Sequence, residues 1–197
     1  MKRILVSIVA AFLMLVGSNA NAQVAIGAGY NLLFQSYDTS DPLQGFYIGA
    51  DYTFAINKNI GVSSGAYLSY VTMGKYSPSG ILAAEQRDSY VTIPVHVSYG
   101  KSLAYNLRGF VFAGPSFDIG LTNKTYSMYN EDGAMDLYKL RRYNRFDAKI
   151  GCGLGVDLNY KFRILGGYDY GLLDRMSKVK GTVCHSNRLY LGVAYHF

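Results

Sequence analysis

From residue 24 onward, apolar and polar side chains alternate in short runs. Along 45–56, Phe46, Ile48, Ala50, Tyr52, Phe54 and Ile56 share one face, and Gly45, Tyr47, Gly49, Asp51, Thr53 and Ala55 share the other. A period of two marks a β-strand whose two faces meet different surroundings. The pattern recurs: Val91, Ile93, Val95, Val97 and Tyr99 oppose Thr92, Pro94, His96 and Ser98, and Phe146, Ala148, Ile150, Cys152, Leu154, Val156 and Leu158 oppose Asp147, Lys149, Gly151, Gly153, Gly155 and Asp157. At the C-terminal end Leu189, Leu191, Val193, Tyr195 and Phe197 oppose Arg188, Tyr190, Gly192, Ala194 and His196. Turn residues divide the chain into eight predicted strands, at 24–35, 45–56, 60–72, 89–100, 106–121, 144–158, 162–174 and 183–197.

The connections alternate in length. "NKN" at 57–59, "KSLAY" at 101–105 and "NYK" at 159–161 are tight-turn material, whereas 36–44, 73–88, 122–143 and 175–182 read as long polar loops. Short turns at one end and long loops at the other are the pattern of a transmembrane β-barrel. An even strand count puts both termini on the short-turn side, expected to be periplasmic. The glycines on the less apolar face weigh against a water-soluble barrel, since they weaken an exposed strand without evident gain. Inside a narrow eight-stranded barrel they leave space for larger side chains from facing strands. The expected fold is therefore all-β: an eight-stranded antiparallel up-and-down transmembrane barrel, apolar outside and filled inside. Its inward charges are Asp51, Arg108, Asp118, Asp147, Lys149, Asp157, Arg163, Asp169 and Arg188. Confined in a low-dielectric interior, they are expected to pair as a plug of salt bridges.

Composition sharpens this picture. Charged residues are 16% of the chain, below the roughly 25% of a soluble globular domain. Tyr occurs 19 times and Trp not at all. The first residues, "MKRILVSIVAAFLMLVGSNANAQ", run from Lys2 and Arg3 through an apolar stretch to small residues. That order predicts a signal peptide over 1–22, cleaved between Ala22 and Gln23, leaving 23–197 as a single outer-membrane barrel domain. The apolar run is too short for a spanning helix, which needs about 20 residues. A net charge of +6 comes without any concentrated basic run, so nucleic acid is not expected as a partner. Outer-membrane lipids and anionic lipopolysaccharide are the expected surroundings.

Within the final "YLGVAYHF", Tyr190, Gly192, Tyr195 and Phe197 resemble the C-terminal β-signal read by the barrel-assembly machinery, an expected partner during biogenesis. An extended strand with a free edge can be received there by backbone pairing. "YVTIPVHVSYG", "GFYIGADYTFAINKNIGVSSGAYLSY", "VFAGPSFDIG", "FDAKIGCGLGVDL", "RILGGYDYGLLD" and "RLYLGVAYHF" follow one another in an order that resembles the PorT-like outer-membrane β-barrel family, whose members are often grouped as porin-family proteins. The resemblance implies an eight-stranded outer-membrane barrel; a few of those proteins assist secretion of others.

Candidate chemistry is sparse. His96 and Ser98 sit two apart on one strand face, too far for a dependable nucleophile–base contact, and no orienting third group is evident. No enzyme activity, cofactor or metal is expected. "EDGAMD" departs from the calcium-loop spacing and reads as a solvated acidic loop. Cys152 and Cys184 are expected as free thiols. Pro94 and Pro115 are expected to mark bulges or kinks, since each removes a ladder donor. Tyr126, Tyr129, Tyr138 and Tyr143 read as extensions of the sheet and its aromatic girdle, or as a surface for an extracellular protein or glycan ligand. The function expected is a structural or surface-interaction role through the outer loops. The alternatives are a narrow porin-like channel, a secretion accessory and a lipid-active enzyme.

Overall fold

The computed structural model describes residues 22–36, 38–76, 82–127, 135–140, 143–176 and 183–197. The predicted signal segment up to residue 21 lies outside the described residues. Among the described residues nine strands form: β1 (Ala22–Gln35), β2 (Asp38–Ala55), β3 (Ile60–Tyr76), β4 (Leu82–Ala104), β5 (Leu107–Ser127), β6 (Met135–Asp136), β7 (Phe146–Leu158), β8 (Phe162–Gly171) and β9 (Ser186–His196). Each long strand pairs antiparallel with its sequence neighbour, and β1 pairs with β9 from Ala25↔His196 to Gln35↔Ser186. The result is a closed up-and-down ring of eight strands, with the two-residue β6 appended to β5 at Lys124↔Asp136 and Thr125↔Met135. Closure leaves the ring without a free edge, so its backbone donors and acceptors are satisfied within the wall.

Polarity is inverted relative to a soluble protein. Phe46, Leu154, Leu191 and Phe197 are 70%, 67%, 63% and 75% exposed, while Asp118, Asp147, Lys149, Asp169 and Arg188 are buried inside. Glycines on the inner face accommodate the rings of their neighbours. A Cβ at Gly153 would run into the Phe112 ring, and one at Gly155 into the Phe110 ring. The barrel thus packs its lumen by setting aromatic side chains over side-chain-free backbone.

One end is closed by tight turns. Asn159 and Tyr160 take positive φ of 52° and 58°, the two left-handed positions of a type I′ hairpin, closed by Lys161 N–H donating to Leu158 O at 3.1 Å. Backbone bonds from Gly100 to Asn59, Asn159 to Asn106, His196 to Lys161 and Phe197 to Val24 join neighbouring hairpins along this rim. Both ends of the barrel domain therefore lie on the short-turn side.

The other end differs from the sequence reading. The stretches read as loops at 36–44 and 73–88 are strand through most of their described residues, since β2 begins at Asp38, β3 runs to Tyr76 and β4 starts at Leu82; of 122–143, the part up to Ser127 belongs to β5 and Met135–Asp136 forms β6. There the alternation is between polar residues, so hydropathy does not reveal it, yet the antiparallel ladder continues from Val71↔Asp88 to Lys75↔Ala84. The prolines differ too. Pairing positions are missing around Ile93 and Pro94, but the register with β3 is the same on both sides, at Ser64↔Val95 and Tyr67↔Thr92. Pro115 stays in register with Ile150 of β7. Neither proline inserts a residue. Each deletes a donor while its neighbours hold the alignment; the register shifts of β4 against β5 fall instead at Ser89/Tyr90 and Ser102/Ala104.

Candidate functional site

The lumen is layered along its axis. Nearest the turn end, Asp157 of β7 accepts from Arg163 Nε at 2.7 Å and from Arg108 Nη1 at 3.2 Å. The Arg163 guanidinium also lies 4.5 Å from the centre of the Phe110 ring. These strands sit side by side, with Arg108↔Asp157 and Asp157↔Arg163 as register partners, so the cluster follows from inward positions on three adjacent strands.

Next comes an aromatic cavity of about 90 Å³. Tyr47, Tyr67 and Tyr190 form one wall, with Tyr47 edge-on to Tyr67 at 5.6 Å and to Tyr190 at 6.4 Å. His96 and Phe112, 5.1 Å apart, form part of the opposite side. Asp51 lines the same space and accepts a hydrogen bond from the Tyr67 hydroxyl.

Above the cavity lies the principal ionic plug. Lys149 Nζ bonds to Asp118 and to Asp147, the latter at 2.9 Å. Arg188 bonds to Asp169, lies 3.4 Å from Asp118, and donates from Nη1 to Thr92 Oγ1 at 2.6 Å. Ser116 donates to Asp169 at 3.2 Å and Ser186 to Asp147 at 3.1 Å. Isolated buried ions of this kind would be strongly unfavourable; shared counter-ions and hydroxyl donors offset their lost hydration. Beyond them Leu33, Leu43, Val71, Met73 and Tyr90 make a small apolar core inside the barrel.

The loop-end mouth is capped. Arg175 pairs with Asp88 at 3.4 Å and donates to the Tyr138 hydroxyl at 2.8 Å, while that hydroxyl donates to Asp88 Oδ1 at 3.2 Å. Tyr138, Tyr143 and Cys184 pack together with Leu137 and Met176. Burial is the largest influence on the Tyr138 phenol and raises its pKa; it also pushes the Cys184 thiol up to about 11. Tyr138 and Tyr143, read from the sequence as girdle or loop surface, are therefore buried cap residues. The Tyr138 hydroxyl meets the buried carboxylate and guanidinium there, while the Tyr143 hydroxyl donates to Gln35 Oε1 at 3.5 Å and its ring lies 5.5 Å from the Arg175 guanidinium. Tyr126 does stand on the sheet, with the Arg87 guanidinium 4.8 Å from its ring centre. Tyr129 lies outside the described residues, as do Glu131 and Asp132 of the acidic loop.

The structure thus brings eight of the nine predicted inward charges into two ion-paired layers. Asp51 is the exception, since no cation pairs with it; its Oδ1 has no hydrogen-bond partner, as is also true of Oδ1 of Asp147 and Asp169, whose other oxygens are ion-paired. Thr92, Ser116 and Ser186 complete the plug. Asp88 was hidden by reading 73–88 as loop; its two-residue spacing from Tyr90 and Thr92 already gives it their inward parity. Arg175, in a connection, carries no such signal.

In the predicted β-signal, Tyr190 faces the lumen and Gly192 faces the Tyr47 ring, while Tyr195 stacks edge-on against Phe162 at 5.3 Å and Phe197 at 5.2 Å. Ser98 donates to Gly61 O at 3.3 Å rather than engaging His96. Cys152 is exposed on the outer wall and Cys184 is buried in the cap; both are free thiols. Among the described residues, no three His, Cys, Asp or Glu side chains gather as a metal site.

A family model for the outer membrane protein beta-barrel domain matches residues 18–176. Among solved structures, Neisserial surface protein A (NspA) is 13% identical, with 90% of this chain and 98% of that one covered and a TM-score of 0.52. The outer membrane enzyme PagL is 7% identical, with 86% and 97% covered and a TM-score of 0.50. Ail, the attachment invasion locus protein of Yersinia pestis, is 16% identical, with 89% and 97% covered and a TM-score of 0.48. At such identities the likeness to NspA and PagL is one of fold. No curated protein sequence matches the chain.

Proposed function

The chain belongs to the outer membrane protein beta-barrel domain family, and from that footing we propose that it acts at the cell surface through its loop end, as a structural or surface-interaction protein with a blocked lumen. The observation that carries this reading is the buried plug: Arg188, Lys149, Asp118, Asp147 and Asp169, each at most 6% exposed, occupy the lumen beneath a capped mouth. A solute would have to displace buried, paired ions, which is costly. Among the described residues, the upper blade of β3, β4 and β5 is what remains presentable. There Arg87 and Tyr126 are partly exposed and Lys124 is exposed, offering cationic and aromatic groups to a protein or glycan ligand.

In the same reading, the leader over 1–22 is cleaved between Ala22 and Gln23, the barrel sits in a Gram-negative outer membrane amid lipopolysaccharide, and both ends of the mature chain are periplasmic. Tyr190, Gly192, Tyr195 and Phe197 serve as the assembly address. A PorT-like secretion role rests on the ordered sequence resemblance alone. The channel reading has one observation in its favour, the internal cavity.

Two measurements separate these readings. In planar bilayers the purified barrel is expected to give no large, stable conductance; sustained open events support the channel instead. A deletion strain is expected to keep normal solute permeability, secreted proteins and lipid composition while losing adhesion to surface ligands. A secretion defect with unchanged adhesion overturns the surface role.

A further inference from the structure

The lumen charges do not balance. Among the described residues below the Arg175–Asp88 cap, Arg108, Lys149, Arg163 and Arg188 face Asp51, Asp118, Asp147, Asp157 and Asp169, so four cations meet five carboxylates. Asp51 is the one left without a cationic partner among the described residues, although it is only 6% exposed. One oxygen accepts from Tyr67, and the other, Oδ1, has no partner. Gly65 stands opposite in β3, where a Cβ would press on the Asp51 side chain, so the wall is relieved at this position. A buried carboxylate with a bare oxygen is expensive unless something positive or protic meets it.

The space beside it is suited to such a guest. Asp51 lines the cavity of about 90 Å³ together with Tyr47, Tyr67, Tyr190, Phe110 and Phe112. Ring faces attract cations, and a carboxylate adds directional acceptors for N–H groups. The other charges that line the cavity are already engaged: Arg163 gives Nε and Nη2 to Asp157 at 2.7 and 3.3 Å, and Arg188 belongs to the plug. His96 also lines it, with Nε2 unpartnered, and can accept a further N–H. A hard metal ion would want several oxygen ligands, whereas this cavity offers one carboxylate and mostly aromatic surface.

We propose that the cavity is a binding site for a small primary ammonium ion, held by Asp51 and enclosed by the tyrosine and phenylalanine rings. The site lies beneath the plug and does not depend on whether the outer loops bind a surface ligand. Its occupant supplies the missing positive charge of the lumen. The Tyr67 hydroxyl positions the carboxylate for it.

The test uses the intact barrel folded in detergent micelles and ¹³C-methylammonium chloride, with sodium chloride holding ionic strength constant. Wild type is expected to show saturable binding by NMR, with nuclear Overhauser contacts from the methyl group to tyrosine ring protons. Asp51→Asn is expected to weaken binding at least tenfold, and Tyr67→Phe less. The proposal is overturned by a non-saturating response, by an unchanged affinity in Asp51→Asn, or by potassium chloride competing as well as methylammonium. If Asp51→Asn fails to fold, the ring contacts in wild type decide: their absence overturns the site.

Discussion

At the scale of single residues, burial decides what a charge is worth. Arg188 is 6% exposed and serves Asp169, Asp118 and Thr92 together, whereas Arg87 meets Glu85 at the solvated rim. Replacing Arg188 with Met removes one cation and strands buried carboxylates, a change that costs about 3–5 kcal/mol in comparable sites. Replacing Arg87 with Ala breaks a solvated pair with Glu85 and a ring contact with Tyr126, and should change stability far less. Urea unfolding of the two variants in the same lipid should separate them clearly; equal losses would mean that the buried plug contributes no more to stability than the solvated pair. Cys184 gives a second residue-level test. Its thiol is pushed up to about 11, chiefly by burial, so the reactive thiolate is scarce at neutral pH and grows as pH rises toward that value. In a Cys152→Ser background, a water-soluble maleimide should label Cys184 slowly at pH 7 in the folded barrel and quickly once the chain is unfolded. Fast labelling of the folded form at pH 7 would show that the cap is open.

At the scale of elements, legibility followed hydropathy. Strands such as Phe146–Leu158 were readable because lipid on one side and a packed lumen on the other force opposite residue types onto alternate positions. The extensions of β2, β3, β4 and β5 beyond the lipid belt were not. Water bathes their outer face, so Glu85 and Arg87 replace the apolar residues and the contrast vanishes, although Gln86 and Asp88 still point in. The cap was less legible still. Nothing in the spacing of Tyr138 and Arg175 announces that two connections meet over Asp88; only the closed ring brings them together. The cap does have a local dependence that can be probed. Tyr138 lies against Gly120 so closely that a Cβ there would collide with its hydroxyl and ring. Gly120→Ala should therefore lever the segment around Leu137–Leu140 off the mouth while leaving the wall intact. Limited proteolysis of the barrel in liposomes should show faster cleavage near that segment, with unfolding in urea little changed. Loss of the folded barrel itself would mean that the cap and wall form one cooperative unit.

At the scale of the molecule, direction in the membrane is the property that every functional reading shares. The two rims are chemically different. One is a row of tight turns, at Asn57–Asn59, Tyr105–Asn106 and Asn159–Lys161, cross-linked by backbone bonds and shared by both ends of the barrel. The other carries long strands and a buried clasp of Arg175, Asp88 and Tyr138. Transmembrane barrels of this build keep their short turns on the periplasmic side and their longer connections outside. The backbone bonds from Phe197 to Val24 and from His196 to Lys161 put the strand ends on the short-turn rim, and a chain inserting from the periplasm would leave that rim behind. Short turns and termini are therefore expected to remain periplasmic while the loops emerge outside. A cysteine placed in the 177–182 connection of a Cys152→Ser, Cys184→Ser background should label on intact cells with a membrane-impermeant reagent. One placed at Asn106 should label only after the outer membrane is opened. The reverse pattern would turn the barrel over and remove the loop end as the surface through which it works.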